Sequence, residues 1–125
     1  MVAAAVLVAI GALGFVPDVT SSVGAISFAG HGSGATLLGL FRVSILLNLL
    51  HALAGAAGLV LARTVRGARR FLTGGGTASL LLWLLGVVKA GGWIPVNGAD
   101  NWLHLCLGVA LIGAGAVTGR PALPA

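Results

Sequence analysis

The sequence predicts an all-α integral membrane protein, with four transmembrane helices arranged as a duplicated helical hairpin and both termini in the cytoplasm. Three observations carry that prediction. Hydrophobic residues make up 58% of the 125 and charged residues only 7%, where a soluble domain carries roughly 25% charged residues. Too few charges remain to cover a water-facing surface. Four apolar stretches, at about 2–16, 44–62, 71–88 and 99–117, are separated by polar or basic segments. Finally, the stretch Phe41 to Gly55 returns 53 residues later as Ile94 to Gly108 without a gap. Val43 falls on Val96, Asn48 on Asn101, Leu50 on Leu103, His51 on His104 and Gly55 on Gly108. At this length the chain, 1–125, is one domain.

The first apolar run, Val2 to Val16, is closed by Pro17. Fifteen residues rise only ~22 Å, short of a ~30 Å hydrocarbon core, so local thinning of the bilayer or residues upstream of Met1 are expected to make up the difference. A signal peptide cleaved near Val23-Gly-Ala25 is the rival reading. No Lys or Arg precedes the run, and signal peptides need a basic start. Asp18 to Leu40 is rich in Ser, Gly and Thr and is expected to be irregular. Within it, His31 stands in Gly30-His-Gly-Ser-Gly34; a solvated loop residue is the plain reading and a lid over the other two histidines the sharper one. Ala35 to Phe41 is mildly apolar and is expected to lie along the interface.

Ser44 to Ala62 has the length of a span, with Arg42 before it and Arg63 after it. Arg63, Arg66, Arg69 and Arg70 then form a basic loop, expected to rest against anionic lipid headgroups. Flanked by two apolar spans, this cluster is a poor candidate for nucleic-acid binding. The third span, Phe71 to Val88, includes Thr73-Gly-Gly-Gly-Thr77, which lacks the Lys of a phosphate loop and is expected to admit a close neighbour or to bend the helix. Lys89, Gly91, Gly92, Trp93 and Pro95 end that span. Asn97-Gly98 reads as a turn, and Asp100 or Asn101 as the cap of the fourth span. With the arginine loop in the cytoplasm, five basic residues, counting Arg120, lie inside and two, Arg42 and Lys89, lie outside. The excess of inner positive charge fixes the orientation.

In this topology the second and fourth spans run inward together, and His51 and His104 sit at nearly one depth in the outer leaflet. Asn48, His51, Gly55, Gly58 and Ala62 share one helix face, as do Asn101, His104, Gly108 and Gly115. Small residues let backbones approach, and buried Asn or His hydrogen-bonds between helices. The second and fourth helices are therefore expected to meet through these faces, with reciprocal Asn48–His104 and Asn101–His51 hydrogen bonds. Three sharper readings use the same pair: axial ligands of a b-type haem, a divalent metal completed by Asp100, His31 or Asn side chains, or a proton or small-molecule path. No other feature demands a cofactor. No Glu is present, Asp18 and Asp100 are loop or cap residues, and no serine sits in a nucleophile elbow, so an enzyme is not expected. Cys106 has no partner for an internal disulfide and reads as a small packing residue.

Gly39-Leu-Phe41, Val43, Asn48-Leu-Leu-His51 and Gly55, together with Pro95-Val-Asn-Gly-Ala-Asp-Asn-Trp-Leu-His104, resemble the bacterial membrane family catalogued as domain of unknown function 4383. Leu13-Gly-Phe-Val-Pro17 is similar to that family's first-span ending. The resemblance covers nearly the whole chain. It implies a four-span, mostly actinobacterial protein without an assigned activity, placed in the bacterial cytoplasmic membrane. Members often carry a further His before the first Asn, where this chain has Leu47, which weakens a metal reading. The function expected is non-catalytic: contacts between helices, either as a homo-oligomer or within a larger membrane complex, with the lipid bilayer as the surrounding partner.

Overall fold

A computed structural model describes residues 1–89 and 92–120. The expectations that fall on Gly91, Pro121 and Pro124 lie outside the described residues. Four helices dominate: α1 (Val2–Leu13), α2 (Ile45–Leu61), α3 (Val65–Val87) and α4 (Gly98–Val117). Both α3 and α4 are long and apolar enough to cross a bilayer, while α1 and α2 are shorter apolar helices. At 1.5 Å per residue, α1 rises only ~18 Å; exposed Phe15 and Val16 carry its apolar surface onward.

The helices pair in chain order. Helix α1 packs along α2 and α3 along α4, whereas α2 and α3 touch far less. The expected meeting of α2 with α4 through their glycine faces is thereby corrected: each glycine face is filled by the helix that precedes it. A β-carbon on Gly55 would come within 2.6 Å of both Ala4 O and Val8 N, and one on Gly108 within 2.6 Å of the Leu80 side chain and 3.1 Å of Gly76 O. Gly115 would meet the Thr73 side chain at 2.7 Å. Gly58 faces both Ala4 and Phe71, so it joins α2 to α3 as well. The short turn Ala62–Thr64 joins α2 to α3, which touch far less than the pairs joined by longer connections, so connection length does not decide what each small-residue stripe packs on.

The arginines do not form a loop. Only Ala62–Thr64 turns, and Thr64 caps α3 by accepting the Gly67 N–H at 3.0 Å. Arg66, Arg69 and Arg70 thus lie exposed on the first turns of α3. Arginine is a good helix former, and at 23 residues the helix reaches ~34 Å, long enough to lift these charges beyond its apolar length. The Gly74–Gly76 run is helical throughout; a β-carbon on Gly76 would come within 2.8 Å of Gly108 O, whereas one on Gly74 would face open space. Cys106 is exposed, on the outer face of α4 and not packed within it.

The connection expected to be irregular folds instead. Strands β1 (Thr20–Ser21), β2 (Thr36–Leu37) and β3 (Phe41–Arg42) form an antiparallel sheet in that order, pairing Thr20 with Leu37 and Leu37 with Phe41. Strands of two residues leave no hydrophobic alternation to read. Ala35, Leu37 and Val43 make a small core, joined by Ile10, Val19, Ile26 and Phe41. The stretch from Ala35 to Phe41 therefore turns back on itself at Leu38–Leu40. Buried Thr20 donates to Leu13 O at 2.9 Å, occupying one of the free carbonyls that end α1. Buried Ser33 donates to Val43 O and accepts the Ser27 N–H at 3.2 Å.

Candidate functional site

The polar residues singled out by the repeat gather near the capped ends of α2 and α4. Helix α2 starts at Ser44, whose hydroxyl accepts the Leu47 N–H at 3.2 Å. Helix α4 starts at Gly98, one residue before the expected span, and its cap lies three residues before Asp100. Its N-cap is Asn97, which accepts the Asp100 N–H at 3.0 Å, while the Asp100 carboxylate accepts the Asn97 N–H at 2.9 Å. This reciprocal capping box satisfies two free donors of the first turn. Asp100 is therefore the third residue of the helix and neither Asp100 nor Asn101 is its cap. The sequence carries this box as Asn97-x-x-Asp100, overlapping the Asn97-Gly98 pair that reads as a turn.

Asp100 is buried, and its carboxylate also accepts the Arg42 N–H at 3.1 Å. Asn97 donates from Nδ2 to Leu40 O at 2.7 Å, and Gly30 N–H donates to Trp93 O at 2.6 Å. These three bonds tie the folded connection above α1–α2 to the start of α4 and the turn before it.

The two asparagines take matching places. Asn48 is fully buried against Gly14 at the end of α1, and Asn101 is wedged on Gly86 near the end of α3. A β-carbon on either glycine would collide with the amide. Neither asparagine makes the reciprocal bond expected to a histidine. Both polar atoms of Asn48 and the Oδ1 of Asn101 are buried without a hydrogen-bond partner. The expectation failed because each asparagine faces the preceding helix, not the other repeat.

His51 donates from Nδ1 to Leu47 O at 2.8 Å, one turn back on its own helix. That fixes the proton on Nδ1 and leaves Nε2 as an acceptor in the neutral ring. His104 is buried, and its Nδ1 is without a hydrogen-bond partner. His31 is exposed and lines a cleft with Lys89 and Asn101, away from the pair. Among the described residues no three His, Cys, Asp or Glu side chains gather as a metal site. Lys89, Asn97, Gly14 and Gly86 are site residues that sequence reasoning did not single out. A glycine gives no sign of its partner until the partner helix is in place.

No curated protein and no solved structure matches the chain. The family model described as Domain of unknown function (DUF4383) matches residues 1–117. The chain belongs to the DUF4383 family.

Proposed function

We propose that this is a non-catalytic, four-span protein of the bacterial cytoplasmic membrane, a duplicated hairpin with N-in/C-in orientation that acts through helix–helix contacts. The observation that carries this reading is the unfilled apolar surface. Large side chains stand exposed on all four helices, among them Val6, Leu53, Leu81 and Val109, with Trp102 at 70%. Contiguous apolar surface on this scale belongs in lipid or against other helices. Duplication is supported by the way each hairpin packs. Ala4, Val8 and Gly14 meet Gly55 and Asn48, and Gly76, Leu80 and Gly86 meet Gly108 and Asn101. The second set on the odd-numbered helices follows the first at a constant 72 residues, against 53 on the even-numbered helices; the longer first connection accounts for the difference. Orientation is supported by Arg63, Arg66, Arg69 and Arg70 at one end of the helices and the folded connection at the other.

The partner is a second copy of the chain or a larger membrane complex. Crosslinking in cells, followed by mass measurement in mild detergent, tests this. The expected result is a discrete oligomer or complex; a monomer with no crosslinked neighbour would overturn it.

A second reading is favoured by one observation: two histidines stand at equivalent places on α2 and α4, His51 bonded through Nδ1 to its own helix and His104 buried. A ligand-binding protein would use that pair for a b-type haem, a metal or a proton. Absorption spectra of oxidised and dithionite-reduced protein from haem-supplied cells test the first of these. Sharp difference bands lost in His51→Ala and His104→Ala would establish haem; a flat spectrum removes it.

A further inference from the structure

On the outer side of the α3–α4 hairpin lies a cleft whose polar walls are His31, Lys89, Asn97 and Asn101, with Leu85 and Val96 as its apolar walls. None of the lining residues is acidic; the nearby Asp100 carboxylate is turned to the backbone N–H groups of Arg42 and Asn97.

Three features give the cleft its form. Gly30 holds a left-handed backbone, φ +87, and its N–H bonds Trp93 O at 2.6 Å. A β-carbon there would come within 3.2 Å of Gly92 O, so glycine lets this segment lie down on the α3–α4 turn and brings the adjacent His31 over the cleft. Lys89 follows the C-cap of α3 with φ 53. Glycine is the ordinary residue at such a position because a β-carbon is strained there. A lysine that accepts this strain places its charge at the cleft wall. Asn101 forms part of the floor: its Oδ1 is shut in against Gly86, which leaves the Nδ2 end as the donor toward the cleft. Gly92 and Gly98 add no side chains to the cleft, and a β-carbon on either would meet no described atom within 4 Å.

We propose that this cleft binds a phosphate group, with Lys89 supplying the charge and His31 and Asn101 supplying hydrogen-bond donors. Inorganic phosphate and the headgroup of an anionic phospholipid share that chemistry. Only the lipid source rests on the four-span reading; the site itself does not.

Full-length protein reconstituted in phosphatidylcholine nanodiscs would be titrated with inorganic phosphate and followed by its thermal unfolding midpoint. A parallel set of discs would contain phosphatidylglycerol. Stabilisation by phosphate in the phosphatidylcholine discs identifies a soluble anion; stabilisation only by phosphatidylglycerol identifies the headgroup. Lys89→Gly is the informative variant because it relieves the left-handed strain. It is expected to unfold at or above the wild-type midpoint without ligand, and to bind about tenfold more weakly, the scale of one lost charged hydrogen bond. Lys89→Arg should retain binding and His31→Ala should lose part of it. No stabilisation by either probe, undiminished binding in Lys89→Gly, or a lower ligand-free midpoint in that variant would each overturn the proposal.

Discussion

Between α1 and α2 the chain passes from Gly14 to Ser44 through a sheet with its own small core, whereas α3 and α4 are joined by the short segment from Val88 to Asn97. Beneath these unequal connections the helices pack alike, with an asparagine on a glycine near the capped end and a glycine close to the opposing helix two turns on. The difference teaches that connection and packing are separable here. Close glycine contacts set each hairpin, while the folded connection does another task. Its Leu40 carbonyl, Arg42 N–H and Gly30 N–H bond the α4 start and the preceding turn, so the hairpins are joined at the cap more than along their helices.

If the glycine contacts set the hairpins, replacing them should have the largest effect. Gly55→Ala and Gly76→Ala bring a methyl against opposing backbone atoms and are expected to cost about 1–3 kcal/mol each, the usual scale of overpacking, measured by unfolding in detergent. Gly108→Ala meets mainly the flexible Leu80 side chain and should cost less than either. Equal losses at all three positions would mean the close backbone approach is not what matters.

Asp100→Ala removes the acceptor of two backbone N–H groups, Asn97 and Arg42. A loss of about 1–3 kcal/mol is expected for buried donors left unpaired, together with faster hydrogen exchange at Arg42. The corresponding cap in the first hairpin, Ser44→Ala, breaks a single bond and should cost about 1 kcal/mol. If Ser44→Ala proved the more damaging, the joining role assigned to the cap would fail.

Asn48 carries a buried amide with neither atom paired. Exchange for an apolar group of similar shape is near neutral when no hydrogen bond is lost, so Asn48→Leu should shift stability by less than about 1 kcal/mol. A large loss would show that the amide holds a bond across the helices after all. Smallest of all is the expected effect on stability of Arg66→Gln with Arg69→Gln, both exposed. Their consequence should appear in orientation instead, as mixed accessibility of an engineered cysteine near residue 93 to an impermeant label.

Helix number was legible because apolar runs of this length have few alternatives, and the glycine stripes announced that one face of α2 and of α4 would be packed closely. The stripe does not name its partner. Gly55 and Gly108 sit on equivalent faces whether those faces meet each other or a preceding helix, and no Asn or His in α1 or α3 marks their matching positions. Asn48 and His104 looked complementary by donor and acceptor count, yet donor counts carry no direction.

Composition and repeat by themselves determined a helical chain poor in charge, with two Asn/His/Gly segments at equivalent places on their helices. Only the tertiary structure decided that α2 and α4 each turn those segments toward the preceding helix, that the Ser- and Gly-rich connection forms a sheet, and that His31, Lys89 and Asn101 share a cleft. The physical reason is one of range. Hydrophobicity and small side chains carry no label for their partner: α2 and α3, joined by the short turn Ala62–Thr64, touch far less than the pairs joined by longer connections. The cap is held instead by single hydrogen bonds between residues nearly sixty positions apart, such as Arg42 with Asp100 and Leu40 with Asn97, and no local pattern encodes such pairs.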